Sequence, residues 1–411
     1  MSELPSKHLE KLIFTLIFLF PVSMGTVASA ASGILIILLL FGLVLCWSEW
    51  QRTDFDERFL CIGMIVFFCF ALLSVINADD LAKFWSKLER LLRILAFIPI
   101  FLFLRKLSFD AVRALSLGMI AAGPVLLLAA FLTPQEQGRS TGAYNPILFG
   151  DYAAYTSVFL MTFIALQPAS RRLKALALGA LMCALQATVM SETRGAWLVI
   201  LVVFPALFVI YLRSIWKQTY RWKTLLIPAA ALVALIFISM QDARVQSRIN
   251  LTVTEFQSYV DNSNPNTSLG YRFQMWEAAV VIWKKNPLIG SGLGDYSTDL
   301  QNLMEPGEGT PWADFGEAHN LFLEFLATTG LLGLTACLFS LFIWPLMVFI
   351  KKFKGPHCPE KFFRQISGIL LISSFALIGL SQNWLGRSSI TSAYIILFAL
   401  FLTKSQPTKN N

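Results

Sequence analysis

Twelve long apolar runs, separated mostly by short polar connections, dominate the 411-residue chain and constrain its fold more than any other feature. They fall at approximately 12–28, 31–48, 59–77, 89–104, 112–132, 151–168, 175–190, 196–212, 224–240, 321–350, 365–381 and 389–403. About 20 apolar residues cross the hydrocarbon core of a bilayer as a helix, so runs of this size read as spans. Leu, Ile, Phe and Ala fill them without the two-residue alternation of a barrel strand, and in lipid the backbone must satisfy itself internally. Composition agrees: 56% of residues are hydrophobic and 14% charged, against about 45 to 50% and 25% in soluble domains, so a water-facing surface cannot be covered. The expected fold class is an all-α integral membrane protein with about 12 transmembrane helices. The tenth run is too long for one simple crossing, and its first dozen residues are expected to form a separate short or tilted segment before Gly330 and Gly333.

Lys and Arg set the orientation. With the N-terminus in the cytoplasm, 21 of the 33 lie in inside segments and 12 outside, as the positive-inside rule requires. Nine of the outer twelve sit in the segment 78–93 and in the loop 241–320, so the short outer loops are nearly free of positive charge. The resulting division is residues 1–240 with spans one to nine, 241–320 as one large outer loop, 321–403 with spans ten to twelve, and 404–411 as a cytoplasmic tail. Val27-Ala28-Ser29-Ala30-Ala31 offers a leader cleavage site, but the apolar core before it runs almost directly into a second span, as a hairpin would. Basic residues scattered between apolar runs account for the net charge of +8 and argue against a nucleic-acid partner; membrane lipids are the expected surroundings. Five of the six cysteines fall inside spans and Cys358 in an inner loop, none placed for a disulfide or a CxxC metal site.

The outer loop 241–320 is the only extended polar segment, and loops of this length without a function are uncommon. Asn264-Pro265-Asn266-Thr267-Ser268 supplies turn and cap residues, Phe273, Trp276, Ala279, Val280 and Trp283 recur at helical spacing, and Asn286-Pro287 ends the pattern. Such an amphipathic helix can lie along the membrane face with Arg272 in its first turn, where guanidinium and unpaired backbone amides face one anion. Snorkelling of Arg272 to lipid phosphate is the alternative that spacing leaves open. Gly290-Ser291-Gly292-Leu293-Gly294-Asp295-Tyr296 lacks the Lys-Ser/Thr pair of a phosphate loop and reads as a flexible turn. Arg194 stands in a short outer turn between spans seven and eight, either pointing into a cavity of the bundle or paired with Glu192. Arg139 is similar, on a longer and looser loop. Lys83, Lys87, Arg90 and Arg93 break the positive-inside pattern on a short amphipathic stretch, and either contact phosphates of lipid or acceptor or anchor the helix. His319 is the sole outer imidazole, either a base at the membrane boundary or a satisfied hydrogen-bonding residue. Three histidines are too few for a zinc site, Asp79-Asp80 is a weak divalent-ion candidate, and no metal is expected.

His319-Asn320, nine residues, Gly330, two residues and Gly333 resembles the His-Asn-x9-Gly-x-x-Gly signature of the bacterial O-antigen ligases, within the larger O-antigen ligase and polymerase superfamily. The resemblance extends over the chain: twelve spans, a large loop between spans nine and ten, one Arg before span eight and another in the loop helix. It implies a GT-C-type glycosyltransferase fold in the bacterial inner membrane, with a large periplasmic loop and the active site facing the periplasm. The implied reaction is inverting transfer of O-antigen from an undecaprenyl pyrophosphate-linked glycan donor to the lipid A-core acceptor, without metal, nucleotide or other cofactor. The resemblance carries His319 over as the residue essential for transfer and Arg194 and Arg272 as the two periplasmic arginines. The chemistry of the residue types agrees, since two arginines can each give bidentate hydrogen bonds to a pyrophosphate leaving group and a neutral imidazole can deprotonate the acceptor hydroxyl. Arg139, Lys83, Lys87, Arg90 and Arg93 stand as further lipid or acceptor phosphate contacts. The rival readings are an O-antigen polymerase, a protein O-oligosaccharyltransferase and, from another class, a polyprenyl-glycan transporter. Transporters usually show repeated halves with polar groups at mid-membrane, whereas the charges here sit at the outer edge.

Overall fold

The computed structural model describes residues 5–45, 47–216, 241–261, 264, 266–303, 315–352 and 358–403, and their regular structure is almost entirely helical. In chain order the helices are α1 (Lys7–Met24), α2 (Ala30–Leu45), α3 (Trp47–Trp50), α4 (Phe55–Leu73), α5 (Leu81–Leu95), α6 (Phe97–Leu104), α7 (Ala111–Leu132), α8 (Pro146–Leu166), α9 (Arg171–Ser191), α10 (Arg194–Trp216), α11 (Ala243–Val260), α12 (Ser268–Lys285), α13 (Tyr296–Asn302), α14 (Leu321–Leu338), α15 (Trp344–Lys352), α16 (Pro359–Gly379) and α17 (Ser388–Leu402). A small hairpin, β1 (Gln135–Glu136) and β2 (Arg139–Ser140), joins α7 to α8 through Gln137 and Gly138, both at positive φ. Polar residues just before the apolar runs fix several helix starts. Asp54 and Glu57 cap α4 reciprocally, Asp110 accepts from Val112 N and Arg113 N at the start of α7, and Asn145 followed by Pro146 starts α8.

Among the described residues, six helical stretches are long and apolar enough to cross a membrane: Phe55–Asn77, Ala111–Leu132, Pro146–Leu166, Arg171–Ser191, Leu321–Lys351 and Pro359–Gly379. Ala30–Leu45, Arg194–Ile210 and Ser388–Leu402 are shorter apolar helices. The chain is an all-α, multi-pass membrane protein. The expected ninth run, 224–240, lies outside the described residues. The expected fourth run, 89–104, is not one helix: α5 closes at Leu95 and α6 begins at Phe97, with Pro99 in its first turn, where a missing amide costs least. The tenth run divides as its length suggested. Gly330 leaves helical geometry (φ 64°, ψ −166°) within α14, and a π-turn at Phe339–Ile343 leads into α15.

α8 and α17 form the centre. Most of α8 is buried, every residue of α17 from Ser389 to Leu402 is buried, and Trp384, Phe375 and Tyr394 pack with ring centroids 5.0 to 5.2 Å apart where α16 passes into α17. Large apolar side chains such as Val44, Phe131, Leu132 and Leu176 are exposed around the outside, the pattern of a surface bathed in lipid. Polar pairs sort into two sets. Arg105 with Glu49 and Glu57, Lys351 with Asp56, and Arg364 with Asp110 join segments expected inside; Arg194 with Glu255, Arg248 with Glu192, and Arg387 with Glu317 join segments expected outside. No ion pair among the described residues joins one set to the other.

Candidate functional site

The segment before α14 is fixed residue by residue. Ala318 N donates to Glu324 Oε2 (2.7 Å), and Ala318 O accepts from Trp276 Nε1 (3.1 Å). The Asn320 side chain accepts from Phe322 N and Leu323 N, capping α14, while its Nδ2 donates to Leu380 O (3.2 Å). His319, between these anchors, is held at φ 48°, a left-handed conformation that a non-glycine residue keeps only when its surroundings over-determine it. Its ring meets Phe315 edge-on, and its Nδ1 lies 3.5 Å from Glu317 Oε1, which is itself 2.6 Å from an Arg387 nitrogen. Burial pushes the imidazole below the usual histidine range; Glu317 opposes this, while Arg272 and Arg387 push the same way. The ring is therefore neutral at neutral pH, the form a proton acceptor needs.

Two arginines complete the site. α9 ends with Glu192 in a left-handed cap, and after Thr193 the chain starts α10 at Arg194; Thr193 Oγ1 donates to Pro146 O (2.8 Å), fixing the turn against the start of α8. Arg194 pairs with Glu255 of α11 at 2.7 Å, and Arg248 of α11 pairs back with Glu192 at 2.7 Å. One Arg194 nitrogen is buried with no partner among the described residues. Arg272 of α12 has neither a hydrogen bond nor an ion pair among them. Burial, then the neighbouring Arg194, pulls Arg272 below the usual arginine range, against Glu255 and Asp151. Asp151, buried on α8, accepts from Gln382 Nε2 and leaves its other oxygen unpaired. Arg194 and Arg272 thus repel each other, and Glu255 is the one carboxylate among the described residues in an ion pair with either, an arrangement with room in its charge for an anion with several acceptor oxygens.

Gly330, after His319, and Gly290, before it, have a structural task. The segment Pro287–Gly292 runs against the break in α14: Ser291 N and Gly292 N donate to Ala327 O and Thr328 O, and Leu331 N and Leu332 N donate to Pro287 O and Leu288 O. A Cβ on Gly330 would lie 2.4 Å from the Leu288 carbonyl carbon, and one on Gly290 2.3 Å from that of Thr328. Neither position has room for a side chain, and both need positive φ. Further along, Asp295 accepts from Asp79 N and Asp80 N. The glycine-rich segment is thus a turn, as its sequence suggests, but one locked between α14 and the start of α5.

Residues 179–338 match the family model for O-antigen ligase. That match supports membership of the O-antigen ligase superfamily. The matched stretch runs from within α9 to the end of α14 and so contains Arg194, Arg272, His319, Gly330 and Gly333, while Arg139, Asp151, α5 and Arg387 lie outside it. Over 408 residues the chain is also 25% identical to an uncharacterized protein of Haemophilus influenzae, an alignment covering 96% of this chain and 99% of that relative.

Several expectations need correction. Arg272 is the fifth residue of α12, one turn in. Of the first-turn amides that were expected to join the guanidinium, that of Gly270 is already capped by Thr267 Oγ1 (3.1 Å). Of the apolar positions expected on α12, Ala279 is buried, with Met275, Ala278 and Ile282 beside it, while Phe273, Trp276, Val280 and Trp283 are half-buried; the alanines let the helix close onto Ala318 and Ala327. Arg194 pairs with Glu255 rather than its neighbour Glu192. Arg139 is not on a loose loop: it donates to Ser191 O (3.0 Å) and Thr193 Oγ1 (3.3 Å), bracing the turn that carries Arg194, and burial followed by Arg248 lowers its pKa. In the α5 cluster, Lys83 donates to Thr298 Oγ1 (3.1 Å), Arg90 to Gly386 O (2.9 Å) beside Arg387, and Arg93 to Glu89 O (3.4 Å), while Lys87 lies close enough to Glu324 to act on it. Lys87 and Arg90 thus reach the rim of the site; Lys83 and Arg93 brace other parts of the protein. Sequence reasoning did not find Glu255 and Arg248, on a helix it did not draw, nor Glu317 and Arg387. Asp151 was discoverable, as a lone carboxylate inside an apolar run.

Proposed function

We propose that the protein is an O-antigen ligase that transfers O-antigen polysaccharide from undecaprenyl pyrophosphate to the lipid A-core oligosaccharide. What supports this is the meeting of Arg194 and Arg272, two crowded guanidiniums short of anions, with His319 held neutral beside them. The acceptor hydroxyl gives its proton to His319 as its oxygen attacks the anomeric carbon from the face opposite the leaving group. The carbon to phosphate-oxygen bond breaks, its electrons pass to the pyrophosphate, and Arg194 and Arg272 receive the charge that develops there. A single displacement inverts the anomeric centre, and the guanidiniums do the work a divalent ion does elsewhere. Charged hydrogen bonds are worth about 1.5 to 3 kcal/mol each, so Ala at either arginine should lower transfer by roughly ten- to a hundredfold or more. Lys should rescue in part, keeping the charge but losing the planar fork. An Arg194→Ala, Arg272→Ala double variant with wild-type transfer at normal protein level would be incompatible with this role.

We place the protein in the bacterial inner membrane with both ends of the chain in the cytoplasm and residues 241–320 in the periplasm, on the distribution of Lys and Arg. With the native cysteines replaced, exposed Lys284→Cys should react with a membrane-impermeant thiol reagent in intact cells and Lys351→Cys should not. The reverse pattern would overturn the orientation.

A further inference from the structure

We propose that Glu317 is a positioning residue, whose carboxylate holds the His319 ring by its Nδ1 edge so that Nε2 is the nitrogen presented to the acceptor hydroxyl. The proposal rests on the reading of His319 as the proton acceptor. Glu317 is nearly buried, and a single oxygen faces both His319 Nδ1 at 3.5 Å and Arg387 at 2.6 Å. Arg387 comes from the start of α17, where the preceding Gly386 carbonyl is held by Arg90, so the carboxylate is fixed from a second element as well as from its own segment. The ring is bounded on another side by Phe315, and the charged groups acting on it are Glu317 from its own segment, Arg272 from α12 and Arg387 from α17. A carboxylate at the Nδ1 edge favours the tautomer with the proton on Nδ1 and leaves the Nε2 lone pair free. When the acceptor O–H proton moves to Nε2, the Nδ1 proton stays on the ring and Glu317 stays ionised, offsetting the imidazolium against two nearby guanidiniums. Arg387 keeps that carboxylate in place without touching the reacting atoms.

The test uses the full-length protein reconstituted in lipid, comparing wild type with Glu317→Gln, Arg387→Gln and His319→Gln. Glu317→Gln should lower kcat by at least about tenfold, short of the roughly 10² to 10⁴-fold a general base contributes, with the donor KM unchanged. Its acid limb should move to lower pH, because the imidazole then faces only cations, whereas Arg387→Gln should move the limb to higher pH. A purely structural ion pair makes a different forecast, since both variants break the same pair and would then act alike with the limb unmoved. A readout independent of turnover is the pH dependence of diethyl pyrocarbonate modification in a His8→Gln, His357→Gln background, where His319 is the remaining histidine of the three. The same opposite shifts are expected there. Wild-type kcat with unshifted curves in Glu317→Gln, while His319→Gln is inactive, would overturn the role of Glu317 alone; substantial activity in His319→Gln would overturn the reading of His319 and this proposal with it.

Discussion

His319→Ala is expected to lower glycan transfer by about 10² to 10⁴-fold, the range a general base supplies, with folded protein and donor binding retained. The backbone there is fixed by Ala318 and Asn320 rather than by the imidazole, so removing the ring leaves the start of α14 in place. His319→Asn sharpens the comparison, because Asn tolerates the left-handed backbone that His319 adopts yet cannot accept a proton at neutral pH. It should be as poor as Ala; substantial activity would reduce His319 to an orienting group. The pH dependence carries a sign as well. Burial lowers the pKa of the ring, so the wild-type rate should hold as pH falls to the usual histidine value of 6.5 and decline only below it.

Gly330→Ala is expected to have the largest effect on stability. At φ 64° and ψ −166° a residue with a Cβ is strained by about 1 to 3 kcal/mol, and the new atom would meet the Leu288 backbone, which cannot swing aside as a side chain does. Overpacking adds about 1 to 3 kcal/mol more, so the cost is roughly 2 to 6 kcal/mol together with displacement of the segment Pro287–Gly292. Gly179→Ala is the control: it sits in α9 with open space where the Cβ would go, and should leave the thermal midpoint in detergent unchanged or slightly higher. A Gly330→Ala midpoint equal to wild type would remove the interlock from the account.

The helical fold was legible because lipid permits so few alternatives: apolar runs without alternation become helices, and the overlong run 321–350 breaks at Gly330, in its first half. His319 and Arg194 were legible as charged or titratable residues at the edge of apolar segments and Arg272 by its place in the loop helix, and the structure brings Arg272 close enough to the other two to interact electrostatically with both. Less was visible where pairing depends on tertiary contact. Arg194 takes its carboxylate from Glu255, 61 positions away, and Glu317 meets Arg387 across 70, separations that carry no periodic signal. The buried face of α12 was legible only at Ala279, because Phe273, Trp276 and Trp283 outweigh the alanines in apolarity, although small residues allow the closer helix contact. Residues 243–260 drew no helix at all, since polar and apolar residues mix there and the buried face includes Glu255, used for pairing rather than for packing.

The most direct test of the central claim is transfer by the purified protein in proteoliposomes, given an undecaprenyl pyrophosphate-linked glycan and a lipid A-core acceptor, with chelator present and no nucleotide. Wild type should move the glycan onto the lipid A-core with inversion at the anomeric carbon, releasing one undecaprenyl pyrophosphate per glycan, and His319→Ala should leave it on the carrier. Glycan that stays on the carrier with wild-type protein, is extended there on a second carrier-linked chain, or is transferred equally well by His319→Ala would contradict the account.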